Sequence, residues 1–234
     1  MTFSLEERER LEGFLGYGNL NGPIWFLGME ESTGDSDPIE NLHRRGEFFH
    51  QVMDLAGAQA LLGVDLPNSP SFRSPAWYWM AKIARGLAGA EDWPDTAKAK
   101  DYIRTKLGRS SGETFMTTLL PLPAAGKGRW IFGDLYPSRE RYELEVLPAR
   151  IASLHRLIRD HQPRFVFAYG LEFRQHYRRI FRIDEWHTID YHRGHIEYGL
   201  LGRTVVVLMP FFGQGALSTD EVRAALNHVR KYNT

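Results

Sequence analysis

Two adjacent carboxylates, Glu30 and Glu31, follow a short apolar segment whose last residue is Gly28. The four apolar residues Ile24–Leu27 are bounded by turn-forming residues, a pattern typical of a strand buried on both faces. The carboxyl end of such a strand is where open α/β sheets carry their chemistry. A carboxylate there can stabilise a developing positive charge and orient an attacking water. We therefore predict that Glu30 and Glu31 are catalytic, and that repulsion between them raises the pKa of one.

The charge balance and the amino-acid usage exclude several classes of protein. The chain has 234 residues with 29 basic and 29 acidic side chains, which argues against a generally basic surface but not against a local basic groove. Without cysteine, no disulfide, thiolate nucleophile or cysteine-held iron–sulfur cluster can form. Residues 1–10 carry five charges and lack an apolar core. Since no apolar run approaches about 20 residues, we expect a cytoplasmic protein with no membrane association.

Four apolar segments suited to buried strands alternate with segments of helical periodicity. The predicted strands lie at about 23–29, 114–120, 164–169 and 204–209, and residues 186–200 are predicted as a hairpin or an irregular edge. Helices are predicted at about 3–15, 40–62, 96–107 and 138–161, the last with a kink or break at Pro148, and also after Pro75, Gly170 and Ser218. Crossover connections between such strands give a parallel sheet. The predicted fold is one α/β domain over residues 1–234, a three-layer α/β/α sandwich with a central, mostly parallel four-stranded sheet.

Several segments occur in the order found in one superfamily. Gly18–Glu31, with its Ile-Trp-Phe-Leu-Gly-Met run, resembles the first motif of the uracil-DNA glycosylase superfamily, most closely that of the single-strand-selective branch. Further similar segments are Arg44–Phe49, Thr117–Leu122, Phe165–Gly170 and Val207–Pro210 followed by Gly213–Ser218. The resemblance covers about residues 16–230. It implies the fold, a role in DNA repair, a base or nucleotide bound at the carboxyl end of the sheet, and hydrolysis of the N-glycosidic bond of a damaged or deaminated base.

The motifs and their surroundings supply candidate site residues. The candidates for base binding are Gly28, Met29, Phe49, Thr118, Met209 and Gln214. The candidates for nucleic-acid contact are Arg44, Arg45, Lys127, Arg129, Phe211 and Phe212. Three polar positions of the family differ. Glu30 stands in place of the catalytic Asp or Asn, Thr118 in place of the Asn that reads the base, and Met209 in place of the catalytic His.

Other interpretations of these residues stay open. Phe49 lies at helical spacing with Val52 and Met53, as a core residue would, and Phe211 and Phe212 suit a packed loop. The cluster Arg174, Arg178, Arg179 and Arg182 suits either phosphate contacts or a solvated helix face. His187, His192 and His195 lack the spacing of a strong metal motif, so no metal and no other cofactor is predicted.

Two further functions remain alternatives to a glycosylase that acts on DNA. A non-catalytic nucleic-acid-binding or partner-recruiting module of the same fold is favoured by Met209 and Thr118, because neither restores the side chain that the family uses. A metal-dependent small-molecule hydrolase is the other alternative, since the two acids have histidines elsewhere in the chain as possible co-ligands.

Overall fold

A computed structural model describes residues 3–33, 37–64, 74–124, 130–191, 194–213 and 215–232. The strands are β1 (Gly16–Gly18), β2 (Ile24–Gly28), β3 (Val52–Met53), β4 (Thr114–Thr118), β5 (Phe165–Tyr169), β6 (His187–Tyr191), β7 (Gly194–Leu201) and β8 (Thr204–Met209). The α-helices are α1 (Leu5–Gly13), α2 (Pro38–Phe48), α3 (Leu55–Leu61), α4 (Pro75–Leu87), α5 (Thr96–Thr105), α6 (Arg139–His161), α7 (Arg174–Phe181) and α8 (Thr219–Val229). Short 3-10 turns lie at Leu171–Phe173 and Arg230–Tyr232.

The described strands form one mixed sheet in the order β3-β1-β4-β2-β5-β8-β7-β6. The four predicted strands are its central members, and they pair in parallel as β4-β2-β5-β8. The prediction of a four-stranded sheet is wrong, because the described sheet has eight strands. The pairs β1–β4, β7–β8 and β6–β7 are antiparallel, so the sheet as a whole is mixed. The hairpin predicted within residues 186–200 is present as β6 and β7.

Helices cover both faces of the central strands, which gives roughly three layers. Successive side chains of a strand point to opposite faces. Phe26 and Phe167 belong to a core shared with buried side chains of α4, α5 and α8. Trp25 and Val166 belong to a second core shared with buried side chains of α6 and α7. Because both faces are buried, these strands are continuous apolar runs and were recognisable from sequence.

The single helix predicted over residues 40–62 is wrong. The segment forms α2, then the short edge strand β3, then α3. Phe49 ends α2 in an extended conformation. Asp54 starts α3, since its side chain accepts hydrogen bonds from the backbone N–H groups of Ala56 and Gly57.

The predicted helices after Ser4 and Ser218 are confirmed. Capping boxes at Ser4 and Ser218 begin α1 and α8. Helix α6 runs unbroken past Pro148, so the predicted break is absent.

No helix in the described part of the chain is long and apolar enough to cross a membrane.

Candidate functional site

The carboxyl ends of β2, β4, β5 and β8 lie along one edge of the sheet because these strands are parallel. From β2 the chain passes to β4 on one side and afterwards to β5 on the other. The boundary between β2 and β5 is therefore the topological switch point, where open α/β sheets bind their ligands. Residues 29–31 leave β2 at this point, and Tyr169 ends β5 there.

Glu30 faces the first turn of α6. Its two carboxylate oxygens accept hydrogen bonds from Nη2 of Arg139, at 3.1 and 3.0 Å, and Arg139 also binds Glu143 at 2.8 Å. The Glu30 side chain is 20% exposed. Loss of water on burial raises the pKa of Glu30, Arg139 opposes that shift, and the charge on Glu143 adds to it. Two carboxylates around one guanidinium leave a net charge of −1 beside the end of β2.

The structure contradicts the predicted electrostatic coupling between the two acids, because the Glu31 carboxylate is directed away toward β1 and α2. Its Oε2 atom accepts a hydrogen bond from the Tyr17 hydroxyl at 2.7 Å and lies 2.9 Å from Nη1 of Arg45. Arg45 is 3% exposed and also donates to Asn41 and Tyr17. Glu31 thus neutralises a buried arginine. Arg45 was predicted to contact nucleic acid, but its guanidinium is enclosed in this network.

Gly28 provides room for the phenol of Tyr169. A Cβ atom at Gly28 would lie 2.2 Å from the Tyr169 hydroxyl oxygen, so only glycine tolerates this approach. The Tyr169 ring stacks on Phe212 with 4.3 Å between ring centroids and 9° between planes. Phe211 lies 6.4 Å from Tyr169 and is 40% exposed. The switch point therefore contains a buried pair of stacked rings with one exposed aromatic beside it.

Most predicted base-binding side chains are committed to other contacts. Phe49 is buried in the core and packs against Phe14, and Met209 has no exposed surface. The Thr118 hydroxyl donates its proton to the carbonyl of Leu120 at 2.8 Å. The structure supports the alternative interpretation of Phe49 as a core residue, although its packing is not helical.

The two backbone carbonyl groups that precede Glu30 also have hydrogen-bond partners. The carbonyls of Gly28 and Met29 accept hydrogen bonds from the N–H groups of Leu119 and Leu120, at 2.8 and 2.7 Å. These bonds continue the pairing of β2 with β4 beyond the strands. They fix the direction in which the chain leaves β2.

The remaining candidates for nucleic-acid contact do not form one surface: some are exposed, one is buried and two lie outside the described residues. Arg44 pairs with Glu40 at 2.6 Å and donates to the carbonyl of Leu61. Phe212 is fully buried, whereas Phe211 is exposed. Lys127 and Arg129 lie outside the described residues, as does the base-binding candidate Gln214.

Two surface cavities, of about 490 and 600 Å³, lie near the end of α1. Among the predicted site residues that the structure describes, Phe49 alone lines one of them, the larger. Neither cavity includes Glu30 or Glu31.

In the carboxyl-terminal half the described histidines do not form a metal site, and two of the four clustered arginines share one glutamate, whereas Arg179 and Arg182 are exposed. His187 and His195 are exposed and project from opposite faces of the β6–β7 hairpin, and His192 is outside the described residues. Within the described ranges, no group of three or more potential ligand side chains is placed to hold a metal. Arg174 and Arg178 both pair with Glu197 of β7, at 3.1 and 2.9 Å.

The sequence does not predict three residues that lie next to the two acids. Tyr17 lies between two glycines and was assigned to a turn, Arg139 lies 109 residues from Glu30, and Tyr169 was assigned only to a strand. The one usable local signal was Ser138, which caps α6 and so places Arg139 in its first turn.

No protein-family model matches the chain, and no curated protein matches it. The chain is an α/β protein of roughly three layers built on a mixed sheet, with the partly buried carboxylate of Glu30 at the switch point of its parallel centre.

Proposed function

We propose that this protein binds a nucleobase or nucleotide at the carboxyl end of its parallel strands and hydrolyses the N-glycosidic bond of a damaged or deaminated base in DNA. The observation that carries the proposal is Glu30, a partly buried carboxylate directly after the central strand β2 at the switch point. The order of the sequence motifs supports the choice of a base as ligand.

The charge around Glu30 suits this reaction. Cleavage of the bond between a base and deoxyribose builds positive charge on the sugar, which a nearby negative charge stabilises. Glu30, Arg139 and Glu143 together carry −1, whereas Glu31 and Arg45 cancel each other. We therefore assign the catalytic role to Glu30 and a structural role to Glu31. The exposed ring of Phe211 is the side chain that stacks on or next to the base.

A second function is favoured by a specific observation on the opposite side of the site. The leaving base becomes an anion, and a hydrogen-bond donor facing it accelerates the reaction. Met209 is fully buried and has no donor, and the Thr118 hydroxyl already gives its proton to Leu120. A module that binds bases without cleaving them is consistent with these two contacts.

Base release separates the two functions. We expect the wild-type protein to release uracil, hypoxanthine or xanthine from single- or double-stranded oligonucleotides. Glu30→Gln should lower the rate by at least about 100-fold, the size of a general acid–base or electrostatic contribution.

The matched control is Glu143→Gln, which removes a carboxylate from the same arginine but lies one helical turn away from it on α6. The net charge of the group falls to zero in this variant, as it does in Glu30→Gln, but the carboxylate at the end of β2 remains, so the rate should stay within about tenfold of wild type. Equal loss in both variants would contradict the role of Glu30. Tight oligonucleotide binding without release of any base would favour the non-catalytic module.

A further inference from the structure

Arg150 of α6 is a buried cation held by neutral groups. The residue is 5% exposed. Its Nε and Nη2 atoms donate to the carbonyl of Thr118 at 3.1 and 2.8 Å, and Nη1 donates to the carbonyl of Phe14 at 2.9 Å. Nη2 also lies 3.4 Å from the carbonyl of Leu15 and 3.3 Å from the Thr117 hydroxyl. These acceptors satisfy hydrogen bonds, but none of them carries a negative charge.

No described carboxylate forms an ion pair with Arg150. Buried charges in proteins are almost always paired, because an uncompensated charge loses the stabilisation by water without replacement. Burial lowers the pKa of Arg150 to about 10, as expected for such a cation. Nη1 bears two protons and donates one hydrogen bond to the described residues, so one of its N–H groups is unused there.

Arg150 lines the cavity of about 490 Å³ between α1, α6 and the segment before β3. The other charged side chains of this cavity are neutralised locally. Arg8 pairs with Glu12 at 2.6 Å, and Glu145 pairs with Arg141 of the same helix. The charge of Arg150 is therefore the one that remains uncompensated on the described wall.

The rest of the wall suits an organic molecule better than a bare ion. Apolar surface comes from Leu15, Val146 and Ala149, and polar groups come from the Gln51 amide and the Ser153 hydroxyl. Small-molecule sites typically have volumes of about 300–1,000 Å³ and apolar walls with a few polar groups. An inorganic anion alone would leave most of this space to water.

We infer that this cavity is a second ligand site, which binds a small organic oxyanion, a carboxylate or a phosphate monoester, through Arg150. The anionic group faces the unused N–H of Nη1 and supplies the missing counter-charge, while the carbon skeleton lies along Leu15 and Val146. The site is separate from Glu30. It is linked to the sheet edge, because Arg150 also holds the carbonyl at the end of β4.

Calorimetric titration with phenyl phosphate and with benzoate at constant chloride tests the site. We expect saturable binding of at least one probe to the wild-type protein. Ser153→Glu places a carboxylate inside the cavity and should weaken binding by at least about tenfold, because it supplies the counter-charge intramolecularly. Ala152→Glu adds the same charge one residue earlier on the exposed side of α6 and should leave the affinity within about twofold.

The outcomes are distinct. Binding of phenyl phosphate alone identifies a phosphate monoester, and binding of benzoate alone identifies a carboxylate. Failure of both probes to bind the wild-type protein, or equal affinities in Ser153→Glu and Ala152→Glu, would overturn the inference. Arg150→Met should also abolish binding, and the Ser153 variant keeps the test decisive if that change prevents folding.

Discussion

The two adjacent acids differ in which cation each one neutralises. Glu31 pairs with Arg45, which is buried, so Glu31→Ala leaves a cation without its anion inside the protein. Breaking a buried ion pair from one side costs about 3–5 kcal/mol, and we expect the lower end because Glu31 keeps some solvent contact. Urea denaturation at pH 7 measures this loss in the free energy of unfolding.

Glu30→Ala is the matched control for that measurement. Arg139 remains partly exposed and keeps Glu143, so this change should cost less than about 1 kcal/mol. Similar losses in the two variants would contradict the division into one structural and one catalytic carboxylate.

The positions of these acids were predictable, but their partners were not. The apolar run and its flanking turn residues are local features, so the strand end before Glu30 follows from a few neighbouring residues. Arg139 and Glu30 are brought together only by the packing of α6 on the sheet. Repulsion between neighbours was expected to shift a pKa, but the chain leaves β2 in a conformation that separates the two carboxylates.

At the level of elements, the centre of the sheet was predictable and its edges were not. In β2, β5 and β8, burial on both faces produces apolar runs of strand length, and turn-forming residues at their ends distinguish them from helices. β1 is three residues long with two glycines, and β3 is two residues long, so neither has a periodicity to detect. The break between α2 and α3 depends on Asp54, whose role as a cap competes with an apolar pattern that continues across it.

Gly28 of β2 lies against the Tyr169 ring of β5, and this contact should make the free energy of unfolding sensitive to any side chain at position 28. Gly28→Ala puts a methyl group into the ring of Tyr169, which cannot move easily because it stacks on Phe212. We expect a loss of about 1–3 kcal/mol in the free energy of unfolding, as for other overpacked sites. Thermal or urea denaturation measures it.

The cost should depend on Tyr169. In a Tyr169→Ala background the same change at Gly28 should cost less than about 0.5 kcal/mol, because the clash is gone and alanine suits a strand better than glycine. Gly133→Ala, at an exposed position with open space around the added methyl, should be neutral in either background. If Gly28→Ala costs as much in the Tyr169→Ala background as in the wild-type protein, then the Tyr169 ring is not the reason for glycine at this position.

At the scale of the whole molecule, acidic and basic side chains balance in number, and on three helices they also balance in place. Many surface arginines pair with a glutamate one turn away on the same helix, as in α1, α2 and α6. Such pairs leave little long-range positive field to attract a phosphate backbone. Any binding of nucleic acid must then depend on a small local group of cations rather than on the surface as a whole.

This charge distribution predicts a shallow salt dependence for oligonucleotide binding. If about three phosphates are neutralised, the logarithm of the binding constant for a single strand should fall with the logarithm of salt concentration with a slope of about −2. Affinity should then drop by about 20-fold between about 50 and 200 mM salt, as measured by fluorescence anisotropy. A slope steeper than about −5 would require a broad basic surface, which the pairing of arginines with glutamates does not provide. A flat response would mean that the ligand is held without phosphate contacts, as expected for a free base recognised at the switch point.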